Sequence, residues 1–150
     1  MIIFVFSISE DDDENEKTFL ALNYVTGRST DEEVYMDLNI LEYILLESEG
    51  APLKKALLDA SIGKDICGSF DGGILQPVFS IIAKNSEENK KEEFKKVVYD
   101  TLNEIVKNGI DKKLIQGCIN AFEFRLREAD TGGYPKGLVY YINAMDSWLY

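Results

Sequence analysis

This 150-residue chain reads as an α+β domain, a mainly antiparallel β-sheet with long α-helices packed on one face. Three observations carry that reading. Residues 1–9 (MIIFVFSIS) and 18–26 (TFLALNYVT) are rich in β-branched and aromatic side chains, the composition of strands. Residues 66–70 and 74–83 repeat it on either side of Asp71-Gly72-Gly73, which has the turn chemistry of a hairpin. From Ser86 onward, apolar residues recur at helical spacing to the end of the chain.

The remaining stretch, residues 29–60, organises the others. Val34, Leu38, Leu41 and Leu45 step by four, three and four, which stacks them on one side of a helix, and Ile40, Ile44 and Leu46 widen that stripe. The expectation is a core helix covered on most of its circumference. Ser29 and Thr30 each precede an acid by three residues (Glu32, Glu33), so either can form a capping box, and Gly50 supplies a stop. Pro52 suits a first helical turn, and Leu53, Ala56, Leu57 and Ala60 give a short second helix.

Between the first two strands lies DDDENEK. Side-chain oxygen donors alternate at Asp11, Asp13 and Asn15 as in a calcium loop, but Glu16 stands where a glycine is needed and Leu22 where a bidentate Glu belongs. A hydrated turn is the reading that remains. Pro77 cannot donate a ladder hydrogen bond, so its strand is expected at an edge or bulged there. Ser61 and Lys64 match the serine-lysine pattern S-x-x-K, yet neither S-D-N nor K-T-G accompanies it, and a helix-ending loop explains it better. Nor is there a phosphate loop, since Leu58 occupies the first glycine position before Gly63-Lys64.

In the C-terminal half, Ser86 is a candidate cap for a helix with Phe94, Val97, Val98, Leu102, Ile105 and Val106 on its apolar side and Gly109 as its stop. Asp111 can cap the next, striped by Leu114, Ile115, Cys118, Ile119, Phe122 and Leu126, so the two are expected to form an αα-hairpin. Thr131-Gly132-Gly133-Tyr134-Pro135 breaks the chain before a last helix with Leu138, Tyr141, Ile142, Met145, Trp148 and Leu149. That helix runs apolar to Tyr150, unlike the usual polar terminus, and suggests residues 1–150 are a single lobe of a larger multi-lobe polypeptide. A complete domain with a docked last helix is the alternative.

Charge and composition limit function. Twenty-seven acids against sixteen bases give a net charge of -11, which opposes nucleic acid and anionic lipid and favours basic peptides. There is no histidine, so His-dependent nucleophiles and His-ligated zinc are excluded within this chain. Cys67 and Cys118 form no C-x-x-C pair and are expected to be free thiols, although one disulfide between them stays open. With no membrane-spanning run and no signal peptide pattern, the expected location is the cytoplasm or an organelle interior.

The stretch from Ser29 through Phe70 (STDEEVYMDLNILEYILLESEGAPLKKALLDASIGKDICGSF), then LQPVFSIIAKN, then FEFRLREADTGGYPKGLVYYINAMDSWLY, resembles the presequence-protease branch of the insulinase and pitrilysin zinc metallopeptidases. It resembles in particular the second of their four related lobes. The turn Gly50-Ala51-Pro52-Leu53-Lys54-Lys55-Ala56-Leu57 and the strand start Leu75-Gln76-Pro77 are its distinctive pieces, and the likeness is less clear over residues 1–13. Ser61 departs from it, in a loop where relatives often carry glycine.

The resemblance implies a parent enzyme closing around unfolded peptides, with zinc held in another lobe by an inverted H-x-x-E-H helix. No residue here can receive those ligands, so catalytic, cofactor and metal residues are all expected to be none, with zinc confined to the parent. Arg125, Arg127, Tyr140 and Tyr141 are not equated with the substrate-orienting Arg and Tyr of the family's last lobe. The expected role is a non-catalytic, acidic wall of the substrate chamber. Its partners would be the remaining lobes and unfolded, basic peptides, with self-association through the last helix. The alternative is an independent acidic module that binds basic peptides.

Overall fold

The computed structural model describes residues 16–128 and 133–149, so the expected strand over residues 1–9, most of the acidic turn, part of the 131–135 break and Tyr150 lie outside the described residues. In chain order the elements are β1 (Thr18–Val25), α1 (Glu32–Glu42), α2 (Pro52–Asp59), β2 (Asp65–Asp71), β3 (Val78–Ser86), α3 (Lys91–Asn108), α4 (Lys112–Glu128) and α5 (Lys136–Trp148). A π-helical turn, Tyr43–Glu47, follows α1 directly, and a short 3-10 turn, Glu88–Lys90, leads into α3. The expected α+β class holds: β3 lies between β1 and β2, and both pairings are antiparallel.

Period-two alternation decides which face the helices cover. Leu20, Leu22 and Tyr24 stand opposite Ala83, Ile81 and Phe79, and Ile66, Gly68 and Phe70 complete the same face from β2. Onto it pack Leu45 and Leu46 of the π turn, Leu53 and Leu57 of α2, Ile62, and Phe94 and Val98 of α3. The register slips between Thr18 and Leu20, and on the facing strand Asn85 takes a positive φ of 55°, so the extra residue is a bulge just before the last pair, Thr18 with Ser86.

Several expectations need correcting. Asp31, not Ser29 or Thr30, caps α1: its Oδ1 accepts from the Val34 N–H at 3.2 Å. The helix is not covered on most sides, since no residue of α1 itself is buried. Burial falls instead on Ile44, Leu45 and Leu46, because the wider π turn delivers three consecutive side chains inward. Ser48 turns extended and ends it, so Gly50 is not the stop; Gly50 is instead where Leu114 of α4 approaches. Pro52 does open α2.

β2 and β3 do form the expected antiparallel hairpin, but its loop is longer than Asp71-Gly72-Gly73, since Ile74 and Leu75 lie outside any strand and Val78 opens β3 opposite Asp71. Residues 72–77 instead run beside the end of β1, where the Leu75 and Pro77 carbonyls accept from Ser29 and Thr26. Pro77 is buried just ahead of β3, a position needing no ladder donor. Ser86 caps nothing; it closes β3, and its buried hydroxyl donates to the Ile62 carbonyl. Gly109 (φ 78°) ends α3 and Asp111 accepts from Lys113 at the start of α4, as expected. The two helices do not pair as an αα-hairpin, however. α3 packs on α2 and β1, whereas α4 packs on α1 and the π turn.

Candidate functional site

The concave feature richest in chemistry is a cleft of about 330 Å3 beside β2, lined by Asp65, Ile66, Cys67 and Gly68 and walled by Tyr43, Leu46, Glu47, Lys54 and Arg125. Four elements meet there, and a glycine allows it. A Cβ on Gly68 would stand 2.5 Å from Leu46 Cδ1 and from Glu42 Oε1, so only a bare backbone lets the end of α1 settle on the sheet.

The polar wall is a charged cluster built across the helices. Arg125 reaches from α4 to stack 4.6 Å above the Tyr43 ring and to pair with Glu47 at 3.5 Å. Glu42 sits beside them, half-buried. Burial, then the neighbouring Glu47, pushes its carboxyl up to about 7, with Arg125 pulling the other way. On β2 and β3, Asp65 pairs with Lys84 at 3.5 Å, and the Cys67 sulfur, then Asp65, holds that exposed ammonium above the ordinary lysine range. Such a cluster can bind and orient charged or hydrogen-bonding groups. Within it the Cys67 sulfur and the Lys84 ammonium are hydrogen-bonded, a contact that holds the proton on Lys84 rather than freeing it to act as a base.

The sequence motifs scatter. Lys64 pairs with Glu16, while the Ser61 carbonyl accepts from Lys90, so the S-x-x-K residues are not assembled into a catalytic pair. Ser61 holds a positive φ of 52° in the loop after α2, the conformation glycine would take more easily. Cys67 on β2 and Cys118 on α4 are both free thiols. Arg127 pairs along its own helix with Glu123, and Tyr140 and Tyr141 lie exposed on α5, so neither joins Arg125. The Glu42, Tyr43, Glu47 and Arg125 cluster was not legible in sequence. Glu42 and Glu47 are five apart, a spacing that shares a face only in a π turn, and α-helical periodicity separates them.

The chain has no histidine, and among the described residues no group of three or more His, Cys, Asp or Glu is placed to hold a metal ion. Also among the described residues, no helix is long and apolar enough to cross a membrane.

Comparison with known proteins agrees with this picture. The chain is 53% identical over 147 residues to Protein HypA of Clostridium perfringens, covering 98% of this chain and 15% of that protein. It is 28% identical over 147 residues to the chloroplastic/mitochondrial Presequence protease 1 of Arabidopsis thaliana, covering 97% of this chain and 14% of that protein. An uncharacterized protein of Borreliella burgdorferi is 30% identical over 140 residues, 92% of this chain and 14% of its own length. The chain thus spans only about one seventh of the length of these curated relatives. Residues 6–122 match the family described as the Peptidase M16 inactive domain, and the chain belongs to that family.

Proposed function

We infer that this chain is a non-catalytic lobe, the second of four, of a zinc-dependent metallopeptidase that degrades unfolded peptides, and that it helps to wall the substrate chamber. One observation carries the inference: an inactive peptidase domain is matched over residues 6–122 in a chain with no histidine for the hydrolytic metal. The wall's contribution is electrostatic and steric. A net charge of -11 attracts basic, extended peptides and raises their concentration near the scissile site, which lies in another lobe. Its partners are the remaining lobes of the same polypeptide. Phe124 and Leu126 on α4, Trp148 at the end of α5 and Leu149 just after it, all more than half exposed, supply apolar surface for such contacts and for self-association of the isolated chain.

The experiment pairs a zinc titration with a cleavage assay on a basic, unfolded peptide. The chain alone is expected to hold no stoichiometric zinc and to give no chelator-sensitive hydrolysis; tight zinc with such hydrolysis overturns the assignment. The charge also favours a second reading, an independent acidic module that binds basic peptides. The neighbouring coding sequence separates the two, since an upstream H-x-x-E-H in the same frame supports the lobe and a chain encoded alone supports the module.

A further inference from the structure

We propose that Cys67 and Lys84 are a redox-modification site: a peroxide oxidises the Cys67 sulfur, and Lys84 captures the product as a covalent bridge between β2 and β3. The strand register brings the two together. Asp65 stands opposite Lys84 and Cys67 opposite Ile82, so Cys67 and Lys84 are diagonal neighbours across the β2–β3 pair. Ile66 and Ala83 turn into the core from the same two strands, which leaves Cys67 and Lys84 on the face away from the helices. A lysine side chain is long enough to span that diagonal, and the Lys84 ammonium is hydrogen-bonded to the Cys67 sulfur.

The third member of the group is Asp65. Its Oδ2 lies 3.5 Å from Lys84 Nζ, so the ammonium is held between a sulfur and a carboxylate and stays protonated, able to give a proton but not to take one. Access comes from the cleft of about 330 Å3, which Asp65 and Cys67 line and which a molecule as small as hydrogen peroxide can enter. Cys67 is half-buried, whereas the other thiol, Cys118, is 3% exposed. Cys67 is therefore the thiol that an oxidant in water reaches first.

The bridge consumes a single equivalent of hydrogen peroxide. Cys67, its proton released to water, attacks one peroxide oxygen: an S–O bond forms, the O–O bond breaks, and the leaving hydroxide takes a proton from Lys84 and departs as water. The sulfur has lost two electrons to the peroxide and is a sulfenic acid, with Lys84 now a neutral amine beside it. That amine attacks the sulfur; an S–N bond forms, the S–OH bond breaks, and the hydroxide leaves with a proton from the amine as a second water. This condensation needs no further oxidant. The product is a sulfenamide that staples β2 to β3 and removes the Lys84 charge, and a thiol reductant returns both side chains to their starting state.

Peptide mapping by mass spectrometry, after treating the chain with hydrogen peroxide and then blocking free thiols, tests the bridge. The peptides carrying Cys67 and Lys84 should become joined, about 2 Da lighter than their sum, and dithiothreitol should part them. Cys67 should be consumed about tenfold faster than Cys118. Lys84→Arg keeps the charge and a hydrogen-bond donor, but a guanidinium neither gives up its proton nor attacks sulfur. In that variant Cys67 should pass on to the sulfinic acid, about 32 Da heavier, with no cross-link. Cys67→Ser should show no bridge to Lys84. The proposal is overturned by a disulfide from Cys67 to any cysteine, by a bridge from Cys67 to Lys54 of the same cleft, by equal loss of Cys67 and Cys118, or by sulfinic acid at Cys67 of the unaltered chain without a cross-link.

Discussion

Leu46 lies directly over Gly68: a Cβ on that glycine would stand 2.5 Å from Leu46 Cδ1 and 3.1 Å from Leu46 Cβ. The π turn and the sheet are thus in contact through a position where no side chain fits. Gly68→Ala should cost about 2–3 kcal/mol, since both Leu46 and the Glu42 carboxyl must move to admit it. Gly117→Ala is the matched control, because Gly117 is inside α4 with nothing within 4 Å. That change should stabilise by about 0.5–1 kcal/mol through helix propensity alone. Urea midpoints at constant m distinguish the two.

Glu42 should give the fold a pH dependence opposite to that of an ion-paired carboxylate. Its folded value, about 7, lies above its ordinary 4.5, so its contribution is fully present below pH 4.5 and is lost as pH rises through 7. Glu42→Gln removes the ionisation. The variant should exceed the unaltered chain by about 1 kcal/mol at pH 8, well under the full linkage value because the carboxyl is only half-buried, and match it at pH 4. Denaturation midpoints across that range provide the check; a variant that tracks the unaltered chain at pH 8 refutes it.

Phe94 and Val106 share the apolar stripe of α3 in sequence, yet one is 2% exposed and the other 85%. Phe94→Ala should cost about 3–5 kcal/mol, because it empties the largest fully buried side chain of the core. Val106→Ala should stay within about 0.5 kcal/mol. Equal losses would mean that the last turns of α3 are packed in solution.

That contrast marks where sequence stops specifying structure. Periodicity located α2, α3 and α4, and strand composition located β1 and β2, because each depends on local spacing and on burial of one face. It could not show how far along a stripe the core extends, which is decided by the neighbouring element. The αα-hairpin failed for the same reason: the α3 and α4 stripes are both real, but α1 and the π turn compete successfully for α4. At the candidate site, Arg125 was noticed only for its residue type. Its partners Tyr43 and Glu47 are four apart, ordinary helical neighbours, but nothing local to either segment shows that α4 lands on them.

Ser29 and Asp31 test the start of α1 from opposite sides. Capping chemistry is present at both positions and at Thr30, so the sequence pattern cannot choose among them; the chain path does. The Ser29 N–H is taken by the Leu75 carbonyl at 3.1 Å, which fixes Ser29 alongside the 72–77 segment, two residues short of the cap. Its Oγ is buried there without a hydrogen-bond partner, whereas Asp31 Oδ1 accepts from Val34. Asp31→Ala should therefore cost about 1 kcal/mol by freeing a helix N–H. Ser29→Ala should be neutral or stabilising by up to about 1 kcal/mol, because it deletes a buried hydroxyl that satisfies nothing. If Ser29→Ala proves the more damaging in urea unfolding, the Ser29 hydroxyl has a partner in solution and the start of α1 must shift toward it.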